Sequence, residues 1–176
     1  MTNIPLERYH DLSGIPESGY ETSIAAAPAE LKALAEWAGV DEVERLSGHV
    51  RVHRQSRTSY QIETEFEADV VQNCVVTLEP VRSHIARSFT RALHLSPSIR
   101  HHVDEGGLVP AASVEDDAPD EIENTRYDLA APLREEFALA IDSYPRAPGV
   151  EFEQPDDPGD HEESPFAALE KLRPSH

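Results

Sequence analysis

Between Thr58 and Val71 the chain alternates without a break. Tyr60, Ile62, Thr64, Phe66, Ala68 and Val70 occupy one parity, and Gln61, Glu63, Glu65, Glu67 and Asp69 the other. Side chains of an extended chain point alternately to opposite faces, so a period of two over this length predicts a half-buried antiparallel strand with one wet face. In Ser47–Arg54, Val50 and Val52 alternate with His49, Arg51 and His53, which predicts a neighbouring strand. Its basic residues would pair across the ladder with the row of acids. That structural role is preferred to a metal-binding or catalytic carboxylate cluster. After a turn at Asn73–Pro80 a third strand is expected over Val81–Leu95. Its apolar residues Val81, Ile85, Phe89 and Leu93 fall every four positions, which also suits a helix. The β-branched and aromatic content, and the need of the long second strand for a partner, decide for a strand.

Helices flank this block. Pro28 suits a first helical turn, Leu31, Leu34, Ala35 and Ala38 repeat on one face, and Gly39 stands where a helix ends, so Pro28–Ala38 is predicted to be an amphipathic helix. Trp37 is expected to pack beside that stripe. Ile4–Leu12 is read as a short strand before a turn region at Gly14–Gly19. Asp128 reads as the cap of a second helix with the stripe Leu129, Leu133, Phe137 and Ile141, although Pro132 moves the regular helix to begin nearer that residue. Tyr144–Gly149 stops it. The expected fold class is α+β: an antiparallel sheet from residues 47–95, possible as a partly open barrel, covered by the two helices. Leu31, Leu34, Phe137 and Ile141 would bury against Tyr60, Ile62, Phe66 and Phe89. Residues 1–150 form one domain containing an acidic loop at 103–124. An acidic linker at 151–163 and a short docking segment at 164–176 follow. In that segment Ser164 and Pro165 read as helix cap and first turn, with Phe166, Leu169 and Leu172 on one side. A helix so short must dock, and both its own domain and a partner are candidates.

Charge is distributed unevenly. The 176 residues carry a formal charge of −19, which argues against a free-standing basic nucleic-acid module. Eight acids and no base lie between Val103 and Glu123, and seven acids and no base between Glu151 and Glu163. Both stretches have the composition of solvated chain. The middle leans the other way, with eight arginines against five acids from Arg45 to His102. Guanidinium is the better phosphate fork, so Arg51, Arg54, Arg82, Arg87 and Arg91 are the candidate RNA contacts. A solvated face is the competing and plainer reading.

Other chemistry is not written in the chain. Phosphate-cradling glycine loops, a G-x-S-x-G elbow and H-E-x-x-H are absent. The histidines lack ligand spacing, so no metal and no cofactor is expected. A lone Cys74 excludes an internal disulfide framework, fits a reducing cytosol and reads as a buried small hydrophobe. With no signal peptide and no membrane-length apolar run, the expectation is an acidic cytoplasmic monomer without a small-molecule substrate.

Three ordered blocks give a resemblance. Val71-Gln72-Asn73-Cys74-Val75-Val76-Thr77-Leu78-Glu79-Pro80-Val81, then Tyr127-Asp128-Leu129 through Arg134-Glu135-Glu136-Phe137-Ala138-Leu139-Ala140 with Tyr144-Pro145, and finally Ser164-Pro165-Phe166-Ala167-Ala168-Leu169-Glu170-Lys171-Leu172 resemble the bacterial and plastid YceD family of large ribosomal RNA subunit accumulation proteins. With the Leu31–Gly39 helix the resemblance covers most of the chain. It implies a non-enzymatic role in accumulation or processing of large-subunit (23S) rRNA, with a pre-50S particle, that rRNA or a basic ribosomal protein as partner. The family markers land on Cys74, Thr77, Pro80, Asp128, Leu129, Glu135, Glu136, Pro145 and Pro165. Many members carry a second cysteine three residues after the first. Thr77 stands there in this chain, and one thiolate does not make a metal pair. The net charge favours escort of a basic protein over direct RNA contact. The alternatives are a general interaction module docking through Phe166–Leu172 and, last, an enzyme using Glu135 or Glu136 with a histidine.

Overall fold

A computed structural model describes residues 4–96 and 118–151. In chain order it contains β1 (Tyr9–Asp11), a 3-10 turn (Leu12–Gly14), β2 (Tyr20–Ala25), α1 (Pro28–Ala38), β3 (Glu42–Arg54), β4 (Ser59–Asn73), β5 (Pro80–Leu95), β6 (Asp120–Ile122), β7 (Arg126–Asp128) and α2 (Ala131–Ala140). The fold is α+β, as expected. One sheet has the order β2-β3-β4-β5-β6, antiparallel except for β6, which runs parallel to the end of β5. A second, two-stranded sheet joins β1 to β7, and among the described residues no barrel closes.

The alternation in β4 is realised in full. Tyr60, Ile62, Thr64, Phe66, Ala68 and Val70 are each at most 3% exposed. β5 is a strand throughout and pairs with β4 in continuous register from Ser59↔His94 to Asn73↔Pro80. β3 is longer than its alternation suggested, because a bulge between Val43 and Arg45 breaks the period. Val43 and Leu46 are therefore both buried although three residues apart. β2 was not expected: Tyr20, Thr22 and Ile24 face the core side opposite Val52, Val50 and Gly48. β6 falls within the stretch read as an acidic loop.

α1 has the predicted bounds. Pro28 lies in its first turn, the Glu30 carboxylate accepts the Ala27 N–H at 2.8 Å, and Gly39 closes it at φ 71°. Leu34 and Ala35 are buried, but Trp37 is 40% exposed, so its expected packing is not found. It lies outside the stripe that faces β3. α2 begins at Ala131, which places Pro132 in the first turn, where its missing N–H costs nothing. Asp128 is not its cap. The Asp128 carboxylate instead accepts the N–H groups of Arg8 and Ala130 and pairs with Arg134 at 2.7 Å, tying the N-terminal segment, β7 and α2 together. Arg134 also donates to the Leu6 carbonyl.

The core occupies one face of the large sheet, with Phe137, Leu133 and Leu129 of the α2 region against it. Phe89 is half-buried and packs edge-on to Phe66, ring centroids 6.5 Å apart. At Gly48 the absence of a side chain makes room for Leu133 of α2. A Cβ there would stand 2.7 Å from Leu133 Cδ1 and 3.1 Å from the Glu65 carbonyl oxygen.

Candidate functional site

Residues opposite each other in an antiparallel ladder share a face, so the register gives the open side of the sheet row by row. Glu21, Arg51, Glu63 and Thr90 form one row, and Ser23, His49, Glu65 and Ser88 the next. Ala25, Ser47, Glu67 and Ala86 follow, then Arg45, Asp69 and His84. The small side chains of the two middle rows leave a shallow, solvent-open trough of about 650 Å³.

The arginines of this face are already engaged. Arg51 Nε lies 3.2 Å from Glu21, its opposite on β2, rather than pairing with Glu63, its opposite on β4. Arg45 holds Asp69 at 2.8 Å and Glu67 at 3.2 Å, and Arg82 holds Glu44 at 2.8 Å. His84 Nδ1 is 2.6 Å from Asp69. Hydrogen bonding by His84 first, and by Arg45 second, lowers the Asp69 pKa below its ordinary value. Glu65 has no ion-pair partner among the described residues. The sequence suggested four acids against His49, Arg51 and His53. The register sets Glu65 and Glu63 opposite His49 and Arg51 but Gln61 opposite His53. His49 and Arg51 both pair instead with Glu21 of β2, and Glu67 and Asp69 are held by Arg45, with His84 of β5 also on Asp69.

The five candidate arginines do not share a face. Arg51 and Arg82 lie on the open side, whereas Arg87 and Arg91 are on the helix side of β5, opposite Phe66 and Ile62. Arg91 is clasped by Glu135 at 2.6 Å and by Glu136 and Asp120 at 3.5 Å. Glu135 and Glu136 thus face an arginine rather than a histidine. Arg54 ends β3 and donates from Nε to the Ser56 carbonyl at 3.1 Å. Arg54, Arg57 and Arg87 have no acid partner among the described residues.

A second locus joins two of the sequence blocks. In the turn after β4 the Cys74 N–H donates to the Glu79 carbonyl at 2.8 Å, and the Leu78 N–H to the Cys74 carbonyl at 2.9 Å. Val75 N–H reaches the Pro145 carbonyl at 2.9 Å. Cys74 is buried, as read from the sequence, and its Sγ accepts the N–H groups of Thr77 at 3.4 Å and Ala147 at 3.3 Å. Thr77 first, and these backbone donors with it, bring the thiol down to about 6. Pro80 begins β5, and Leu129 is 2% exposed beside Asp128. Among the described residues no cluster of three or more His, Cys, Asp or Glu side chains has metal-binding geometry. Pro165, Phe166, Leu169 and Leu172 lie outside the described residues, as do the acids of 103–117 and 152–163.

Sequence reasoning missed Glu21 and Glu44 as charge partners. Glu21 was legible from the alternation of Tyr20, Thr22 and Ile24, but Glu44 sits at the bulge, where no period marks it. It also missed the bidentate pair of Arg8 with Glu30, at 2.8 and 2.9 Å, which no local pattern signals.

Fold and surface together define an α+β domain with one packed sheet face, one charge-paired open face and a buried thiol at a hairpin corner. The chain belongs to the YceD family, described as large ribosomal RNA subunit accumulation protein YceD, which matches residues 62–173. That description places it in large-subunit rRNA accumulation and names no enzymatic activity. No curated protein and no solved structure matches the chain significantly. Among the described residues no helix is long and apolar enough to cross a membrane.

Proposed function

We propose that the chain is a non-enzymatic ribosome-assembly factor of the bacterial cytoplasm that supports 23S rRNA accumulation or processing by escorting a basic ribosomal protein to the pre-50S particle. The observation that carries this reading is the state of the arginines. Arg45, Arg51, Arg82 and Arg91 are each held by acids, so a phosphate backbone would have to displace those acids. Glu65 and the two acidic stretches, whose fifteen acids include Asp120 already on Arg91, supply an attractive field for lysine- and arginine-rich chain. Such a field acts over ~8–10 Å at physiological salt.

A second reading, direct contact with rRNA, is favoured by Arg54, Arg57 and Arg87, whose forks have no acid partner among the described residues. Tagged protein purified from its own cells with and without RNase separates the two. A basic ribosomal protein retained after RNase supports escort. Large-subunit RNA that disappears on RNase treatment, with affinity falling steeply with salt, supports RNA contact. Recovery of neither overturns both.

A further inference from the structure

The corner formed by the β4–β5 turn and the segment after α2 exposes apolar side chains that nothing among the described residues covers. Val75 is 46% exposed, Leu78 76% and Tyr144 73%. Leu78 also holds φ at 61°, in the left-handed region where glycine or asparagine is the inexpensive choice. A leucine there accepts backbone strain and still faces water, so the turn presents this side chain outward at a cost. The corner is one unit, because Val75 bonds to Pro145 and Cys74 Sγ to Ala147 across it.

The chain leaves the described structure at the same place. Gly149 at φ 77° and the Val150 N–H donating to the Ala147 carbonyl at 3.2 Å turn it back beside the corner. Fourteen residues separate Glu151 from Phe166. A tether of that length spans ~20 Å on average and up to ~50 Å when extended. It therefore holds Phe166, Leu169 and Leu172 near the corner at an effective concentration of order millimolar, well above that of a second copy in solution. The open sheet face is a poor alternative seat, since Glu65 there would meet Glu162 and Glu163 next to the segment. We propose that Phe166–Leu172 of the same chain docks on the Val75–Leu78–Tyr144 corner, so that the third sequence block joins the first two.

Hydrogen exchange of the full chain tests this, comparing wild type with the double variant Phe166→Asp and Leu169→Asp. Both substitutions lie outside the described core, and an unchanged far-UV circular dichroism spectrum together with wild-type exchange of the β3–β5 amides confirms that the variant is folded. Docking predicts that amides of 75–78 and 144–147 exchange at least ~5-fold faster in the variant, and that wild-type protection is the same over about a fiftyfold range of protein concentration. Leu78→Asp should in turn speed proteolysis of the 164–172 segment in the full chain. Equal exchange in wild type and double variant overturns the proposal and leaves the segment for an external partner. Protection that grows with protein concentration also overturns it, in favour of a second copy.

Discussion

On one side of β4 the side chains from Tyr60 to Val70 are at most 3% exposed and pack beneath α2 and its neighbours. On the other side Gln61 to Asp69 face solvent or half-exposed charge partners across the same backbone. The register is shared, so any difference between the faces comes from what covers them. Burial of a large apolar group is worth ~1.5–3 kcal/mol, whereas an exposed ion pair is worth ~0–1 kcal/mol. Stability therefore resides on the covered face, and the open face contributes little to it.

The sharpest way to break this contrast is Phe137→Ala. Phe137 is fully buried against the sheet, so the variant should lose ~3–5 kcal/mol in denaturant unfolding. A near-neutral result would mean α2 does not cover β4. Gly48→Ala should cost ~1–3 kcal/mol, since the new Cβ must push Leu133 or the Glu65 backbone aside. In a Leu133→Ala background the cost of Gly48→Ala should shrink if the clash with Leu133 is its cause. Thr64→Val reverses the sign. The Thr64 hydroxyl is buried with no hydrogen-bond partner, and the isosteric change should raise stability by up to ~1 kcal/mol.

Acid titration should reveal a smaller effect at the edge of the covered face. The Arg8 guanidinium first, and the Ala27 N–H second, bring the Glu30 carboxyl from 4.5 to about 2. A depressed carboxylate stabilises above its unfolded pKa, so this contribution is complete above pH 4.5 and vanishes as pH falls toward 2. Wild type and Glu30→Gln should therefore converge in stability across that window. Smallest in stability is Glu65→Gln on the open face, expected within ~0.5 kcal/mol. Under the escort reading, the same change weakens binding of an arginine-rich peptide, measured by calorimetry at moderate salt. A large loss of stability would erase the distinction between the faces.

What was legible in the sequence follows the same division. β4 and α1 were readable because one period ran unbroken from end to end, and a helix was marked by proline at its start and glycine at its close. β3 lost its first half to the bulge after Val43, which shifts the phase that pattern reading depends on. Trp37 was misplaced because a neighbour of an apolar stripe can face either way. Asp128 looked like a cap from its position, yet its carboxylate is taken by Arg8 and Arg134, the first of them 120 residues away. The candidate arginines were identifiable as residues but not as a surface. Whether two side chains of β5 share a face is fixed by parity, and Arg82 differs in parity from Arg87 and Arg91. Which acid neutralises each depends on long-range register.

The pairing of β1 with β7 sets a clock on synthesis. Leu12 is completely buried, and its N–H donates to the Thr125 carbonyl at 2.8 Å. On a ribosome making ~5–20 residues per second, that partner arrives on the order of ten seconds after Asp11. Strands β2 to β5 can assemble meanwhile, but Leu6, Leu12 and Ile15 have no finished seat until β7 and α2 emerge. The last elements to be made fasten the first, and a pause in translation before Thr125 prolongs the interval in which the nascent chain exposes them.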